Sequence, residues 1–356
     1  MKNMAPLMLG VRGMRLGADE RAFIQAVKPA SFILFARNIE SPEQVRELTA
    51  ELATASPLPY PLIAVDQEGG RVQRVKFGGK LPAMGVMGAW YEANPTAALE
   101  ATMLVNMLLA AQLRDVGATW MLAPVLDVAH ATTHAIIGDR AFAAKPDAVA
   151  ALGSAALMGI GAGGCFPCVK HAPGHGRAVA DSHHELPVVT CGRDELAADW
   201  KPFEVLGPRS PFMMTAHICY EALGKEVTTC NPDTLAMMRK EFGFGGLIVA
   251  DDVGMAALDG DYATRAARAL AAGCDMVITS FSKLKHGMAG TVFDEENYKA
   301  LTERYALPSL NARAVGVLEG LKLPDAPTEE QVDAAKARLR ALWDDGAGRM
   351  GYKLEL

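Results

Sequence analysis

The chain has 356 residues, half of them apolar, with 35 lysines and arginines against 41 aspartates and glutamates and a formal net charge of −6. That length suits two average domains or one large α/β barrel, with ample apolar material for a core. The acidic balance and the lack of any long Lys/Arg cluster argue against nucleic acid as the main partner.

The first apolar run, Ala5–Val11, is too short for a signal h-region or a membrane span and has no small-residue cleavage site after it. No membrane association is therefore expected, and the cytoplasm is the expected location. A strand is predicted at Pro6–Val11 and a second at Ser31–Ala36. Ser41–Ala55 opens with Ser-Pro-Glu, a helix start, and spaces Val45, Leu48 and Leu52 on one face. A third strand at Leu62–Asp66 runs into Asp66-Gln67-Glu68-Gly69-Gly70-Arg71-Val72-Gln73-Arg74, and Arg74–Met87 is expected to be a solvent-facing loop. Helix Thr96–Val116, strand Trp120–Asp127, helix Pro146–Ile160 and strand Phe166–His171 follow. Helix Arg193–Val205, strand Phe212–Ile218, helix Pro232–Phe242, strand Gly246–Asp251, helix Asp261–Ala272 and strand Asp275–Thr279 continue the alternation. The tail contains Glu295–Leu321 and the strongly helical Thr328–Asp344.

Apolar runs without alternation suit parallel strands covered on both faces. Eight of them interleaved with helices predict a (β/α)8 TIM barrel. No linker or composition break divides the chain, so residues 1–356 are expected to form one catalytic domain with a C-terminal helical extension.

In such barrels reacting groups sit at the carboxyl ends of the strands. Asp66, Asp127, Lys170-His171, His217 and Asp251-Asp252 fall at or near five predicted strand ends, with Arg140 in the loop after Asp127. The segment Lys170-His171-Ala172-Pro173-Gly174-His175-Gly176, followed by Asp181-Ser182-His183, is broken by Pro and Gly and concentrates imidazoles beside a carboxylate. Glycoside hydrolysis requires a nucleophile or base on one side of the sugar and a proton donor on the other. Asp251, aimed by its strand, is the candidate nucleophile. His183, oriented by Asp181, is the candidate acid/base, and an imidazole suits that task near neutral pH. Asp66, Arg74, Arg140, Lys170 and His171 have the donors and acceptors to hold sugar hydroxyls.

Other polar residues receive quieter readings. His130 and His134 are four apart, but their segment is not helical, so a loop without metal is expected. His175 and His184 are read as loop-shaping or solvent-exposed, Asp127 as a substrate contact or, preferably, a hydrogen-bond anchor for the loops, Asp252 as a brace for the loop, and Met213-Met214 as barrel packing. Cys165-Phe166-Pro167-Cys168 has no second cysteine pair, and the six cysteines are expected to be reduced, mostly buried thiols. The Gly-rich turn at Gln67–Gly70 matches neither the P-loop nor the dinucleotide fingerprint, and no cofactor is expected.

The strings Val65–Arg74, Ala123-Pro124-Val125-Leu126-Asp127-Val128, Lys170-His171 with Pro173-Gly174-His175-Gly176, Asp181-Ser182-His183 and Asp251-Asp252 resemble glycoside hydrolase family 3. Within it they are similar to the bacterial single-domain β-N-acetylhexosaminidases of cell-wall recycling, over roughly Leu7 to Val277. The resemblance implies a TIM barrel and a two-step retaining mechanism through a covalent glycosyl-enzyme. It also implies release of N-acetylglucosamine from muropeptides carrying 1,6-anhydro-N-acetylmuramic acid. It places the nucleophile on Asp251, the acid/base dyad on His183 and Asp181, and sugar binding on Asp66, Arg74, Arg140, Lys170 and His171. The chain departs from the family at Ala172, where Phe is usual, at Ala250, where Ser is usual, and in Arg177–Ala180, which lacks an acidic residue or Thr. A monomer acting on a small-molecule substrate is expected. Competing readings are a glycoside phosphorylase on the same scaffold, metal-dependent hydrolysis, and a sugar-binding protein without turnover.

Overall fold

The computed structural model describes residues 3–56, 58–284, 291–304 and 308–356. The strand-forming runs become β1 (Ala5–Gly10), β2 (Pro29–Leu34), β3 (Ile63–Val65) and β4 (Trp120–Met121). They continue as β5, split into Phe166–Pro167 and Val169–Ala172, then β6 (Phe212–Thr215), β7 (Leu247–Ala250) and β8 (Met276–Thr279). Every neighbouring pair is parallel, β8 pairs with β1, and the two halves of β5 pair with β4 and β6 respectively, so the sheet closes on itself. This is the (β/α)8 barrel that the alternation predicts. The fourth and fifth strands are shorter or more broken than expected because Pro124 and Pro167 lack the N–H that a ladder needs. Single bonds continue the pairing past the breaks: Cys168 N–H to the Ala123 carbonyl at 2.8 Å and Lys170 N–H to the Pro124 carbonyl at 3.1 Å.

Side chains alternate across the wall, as the two-residue period of a strand requires. Met8, Ile33, Ala64, Cys168, Met214 and Val249 face an inner core, where the rings of Trp120 and Phe212 meet with centroids 3.9 Å apart. Leu9, Phe32, Ile63, Val169, Met213 and Ile248 face the outer core beneath the helices. Counting two residues on from Ala64, Cys168 and Val249 reaches Asp66, Lys170 and Asp251. The inward parity of each strand thus delivers a charged group to the mouth of the barrel.

The helices follow their start signals. Ser41 and Asp261 cap α2 (Pro42–Ala55) and α8 (Tyr262–Ala272) by accepting from Gln44 N–H and Thr264 N–H. Two helices went unpredicted: α1 (Ala18–Val27) and α3 (Met84–Ala93), the latter beginning inside the stretch expected to be loop. Gly85 and Gly88 obscure the helical signal of α3. At Gly88 a Cβ would lie 1.6 Å from the Phe142 carbonyl, so close packing accounts for that glycine. Helix α4 (Pro95–Asp115) is apolar because Ala98, Ala101, Val105, Leu109 and Leu113 are buried against the barrel and its neighbours.

The tail forms α9 (Glu295–Arg304), α10 (Ala312–Gly320) and α11 (Glu329–Asp345). Leu310, Ala314 and Leu318 join the inner core, so α10 stoppers the end of the barrel away from Asp251. Helix α11 lies along α4, with Arg338 paired to Glu100 at 2.6 Å and Trp343 edge-on to Trp90.

Candidate active site

Asp66 closes β3 and leads into a short antiparallel hairpin, Gln67–Gly69 with Val72–Gln73. Its turn needs positive φ at Gly69 and Gly70, and a Cβ on Gly69 would lie 2.3 Å from the Pro82 carbonyl. Gln67 braces the hairpin, its Oε1 accepting from the N–H groups of Arg74 and Val75, both at 3.0 Å. The hairpin sets Asp66, Glu68 and Arg74 on one rim.

Glu68, which the sequence reading left without a role, is the hub of the ion network. Its buried carboxylate takes a two-pronged contact from Arg140 at 2.7 and 2.8 Å, and Lys170 Nζ at 2.6 Å. Lys170 also reaches Asp66 at 2.8 Å. Burial opposes ionisation of Glu68, but Arg140 and Lys170 overcome it and hold the carboxyl well below its ordinary range. Lys170 stays charged for the mirror-image reason: desolvation pushes it down, Asp66 and Glu68 push it up, and the net shift is upward. The only hint of Glu68 in the sequence was its position, two residues past Asp66 and therefore on the same side of the strand line.

Asp127 acts as the expected anchor. Its carboxylate accepts from the backbone N–H of His171 at 3.2 Å and of His175 at 2.7 Å, and from His171 Nδ1 at 2.8 Å. Arg140 donates to His171 Nε2 at 3.4 Å, so the proton of the ring sits on Nδ1. His175 meets the loop-shaping alternative through its N–H bond to Asp127. It is buried rather than solvent-exposed, it lines the cavity, and desolvation holds its imidazole down to about 4. Met214 packs in the barrel as expected and also lines both cavities of the site. His184 is exposed as expected.

The loop after β5 carries His183. Gly174 has φ +133°, and a Cβ on Gly176 would lie 1.7 Å from the Val128 carbonyl. Arg177 ties the start of the loop to buried Asp199 at 2.6 Å, and Asp199 also holds His130 at 2.7 Å. His130 thus has a structural partner on a helix, α6 (Arg193–Leu206), that sequence spacing did not point to. Among the described residues no group of His, Cys, Asp and Glu is arranged to hold a metal ion. His183 itself is half exposed. Its N–H and Nδ1 both engage Asp181 Oδ1, at 2.9 and 2.8 Å. Burial raises the Asp181 carboxyl, but the His183 bonds outweigh it and the net shift is downward. With Nδ1 engaged by the carboxylate, Nε2 is the ring nitrogen left for proton transfer.

Asp251 stands just past β7. Burial pushes its carboxyl up, yet the net shift is downward, helped by the Asp252 N–H that donates to its Oδ1 at 2.7 Å. Asp252 braces the loop as expected, accepting from Gly254 N–H at 3.0 Å and Ser280 N–H at 3.2 Å. The described cysteines are all free thiols, five of them buried and Cys191 half-buried.

Two adjoining cavities result. One, of about 290 Å³, is lined by Asp66, Arg74, Arg140, Lys170, His171, His183 and Asp251. The other, of about 490 Å³, shares Asp66, Arg74, His183 and Asp251 and extends toward Tyr262 and Asn297. Every candidate sugar-binding residue therefore converges on one cavity, while Asp181 stands behind His183. A barrel that gathers a buried carboxylate, an oriented imidazole and a ring of fixed charges at its strand ends is equipped as a glycoside hydrolase.

Comparison with known proteins agrees. Residues 6–304 match the family described as the glycosyl hydrolase family 3 N-terminal domain, and the chain belongs to this family. It is 42% identical over 281 residues to a beta-hexosaminidase of Alkalilimnicola ehrlichii, covering 77% of this chain and 80% of that protein. Native NagZ from Neisseria gonorrhoeae has the same fold, with a TM-score of 0.84 and 32% identity over 96% of this chain and 98% of its own. The same protein in complex with N-trifluoroacetyl-D-glucosamine matches with a TM-score of 0.83 and 31% identity, covering 97% and 98% of the two chains.

Proposed function

We propose that this protein is a retaining exo-β-N-acetylglucosaminidase that releases N-acetylglucosamine from anhydromuropeptides in peptidoglycan recycling. The observation that carries the reading is that Asp251 and His183 line one cavity whose wall is the Asp66, Lys170, Arg140 and His171 cluster. The bound N-acyl glucosamine derivative in the gonococcal NagZ structure supports a sugar of that class.

In the proposed sequence, hydroxyls of the terminal sugar engage Asp66, Arg74 and the cationic cluster. The Asp251 carboxylate bonds to C1 while His183 Nε2–H protonates the departing oxygen. The neutral imidazole left behind then removes a proton from water, which attacks C1 and frees Asp251. Asp181 holds the ring through Nδ1 and favours the imidazolium when it forms. Arg74 adds a guanidinium that has no hydrogen bond or ion pair to other described residues and is available to the substrate. A monomer working in the cytoplasm completes the reading.

The test is release of p-nitrophenol from its β-N-acetylglucosaminide and β-glucoside by wild type and Asp251→Ala, with EDTA present. Activity on the first substrate alone, unaffected by EDTA and lost in the variant, is expected. Near-normal turnover by Asp251→Ala would remove the nucleophile assignment. An anhydromuropeptide left intact by an enzyme active on the aryl glycoside would remove the natural substrate.

A further inference from the structure

His217 lies just past β6, among the strand-end groups but so far without a role, and both of its ring nitrogens are held. Nε2 is 3.1 Å from the carbonyl oxygen of Asp252, and Nδ1 is 2.7 Å from the hydroxyl of Thr229. That hydroxyl is 2.8 Å from the hydroxyl of Thr215. His217, Thr229 and Thr215 are all buried, so water does not compete for these groups.

The donors and acceptors admit a consistent assignment. A carbonyl oxygen only accepts, so Nε2 carries a proton. Nδ1 of the neutral ring then accepts from Thr229, at 2.7 Å a closer acceptor for that hydroxyl than the Ala216 carbonyl at 3.3 Å, and the Thr229 oxygen in turn accepts from Thr215. Burial favours that neutral ring, outweighing the pull of Asp251 and Asp252 toward the charged form. The two threonines thus select the tautomer that points an N–H at Asp252.

Asp252 is held from its other sides too. Its carboxylate is fixed by Gly254, Ser280 N–H and the Ser280 hydroxyl. Its own N–H donates to Asp251 Oδ1 at 2.7 Å. That last bond orients the carboxylate of Asp251, and it is only as well aimed as the Asp252 backbone behind it.

We infer that His217 is a positioning residue for Asp251: held as the Nε2–H tautomer by Thr229 and Thr215, it fixes the Asp252 backbone that aims the nucleophile. The inference rests on the reading of Asp251 as nucleophile given above.

A 5-fluoro N-acetylglucosaminyl fluoride tests it. The Asp251 oxygen bonds to C1 as the C1–F bond breaks and its electron pair leaves as fluoride, which requires no proton from His183. The ring fluorine slows release, so the adduct accumulates and intact mass follows its formation. Melting temperature and N-acetylglucosamine affinity are measured for each variant. At saturating reagent, His217→Ala is expected to slow adduct formation about 100-fold, the scale of a misplaced reacting group, with sugar affinity nearly unchanged. His217→Gln, which keeps an N–H donor, is expected to recover to within about tenfold of wild type. Thr229→Val should slow the step, while Thr229→Ser should not. If His217→Ala fails to fold, the Gln variant and the Thr229 pair carry the test. An unchanged rate in folded His217→Ala, a Gln variant as slow as Ala, or a loss confined to affinity would overturn the inference. Peptide mapping that finds the wild-type adduct on a residue other than Asp251 would remove the nucleophile reading and this inference together.

Discussion

Glu68, Lys170 and Arg140 stand at strand ends or in a short turn, are shielded from water, and pair with one another. His183 stands on a long loop, is half exposed, and is oriented through one carboxylate. The contrast follows from the two tasks. Recognition of hydroxyls is served by charges already in place, because a preorganised site loses little to rearrangement. Proton transfer must reach a leaving oxygen whose position depends on the aglycone, so a donor on a loop has an advantage. Asp251 belongs to the first kind: it bonds to the one carbon that does not vary between substrates, and a strand aims it.

The most damaging change on the fixed side is Asp251→Ala, expected to lower kcat on the order of 10⁵–10⁶-fold, as loss of a nucleophile does. On the loop side, His183→Ala should cost roughly 10²–10⁴-fold with alkyl or sugar aglycones. It should cost far less with p-nitrophenolate, which leaves without protonation. Equal losses for both leaving groups would deny His183 the role of acid.

Stability separates the two regions more sharply. Glu68→Gln leaves Arg140 and Lys170 facing one another without their shared carboxylate, and roughly 3–5 kcal/mol of destabilisation is expected in urea unfolding. Asp181→Asn breaks a half-exposed pair and should cost about 1 kcal/mol or less while still impairing turnover. Similar stability losses in the two variants would erase the distinction between wall and loop.

Acid titration provides the finest test. Burial holds His175 at about 4 against an ordinary value of 6.5, so between these values the unfolded chain binds the proton more readily than the folded one. Stability therefore falls as pH drops through that window, by up to roughly 3 kcal/mol from this residue. His217, also shifted downward by burial, adds in the same sense. His175→Asn should flatten the slope of stability between pH 6.5 and 4, read by urea midpoints; an unchanged slope would show that His175 is freely protonated in the folded state.

Much of the site was legible because it lies on strand ends. Asp66, Lys170 and Asp251 each follow an apolar run and share the inward parity of their strands, while His171, of the opposite parity, still reaches the same cavity. The dyad was legible because Asp181 and His183 are neighbours in the chain. Glu68 and His217 were harder. Glu68 sits in a hairpin whose Gly-rich turn drew attention to backbone shape, and its cations come from 72 and 102 residues further along the chain. His217 depends on Thr229 and on the carbonyl of Asp252, and nothing in local spacing announces a bond to a backbone oxygen. His130 illustrates the opposite risk. Its distance from His134 invited a metal reading, while its actual partner, Asp199, lies on helix α6, 69 residues further along the chain.

The sequence by itself determined the barrel and the chemical types gathered at its strand ends, whereas the side of each strand that faces inward emerged only with the two cores. The barrel and its strand ends follow from the alternation of apolar runs with helical stretches, a local property that burial enforces. Tertiary structure alone decided which charges share a proton or a salt bridge. Asp127 anchors His175 and His171, Glu68 joins Lys170 to Arg140, and the histidine tautomers are chosen by partners brought in from other strands and loops. Such pairings depend on distances of about 3 Å between residues far apart in sequence, and only closure of the barrel brings those residues that near.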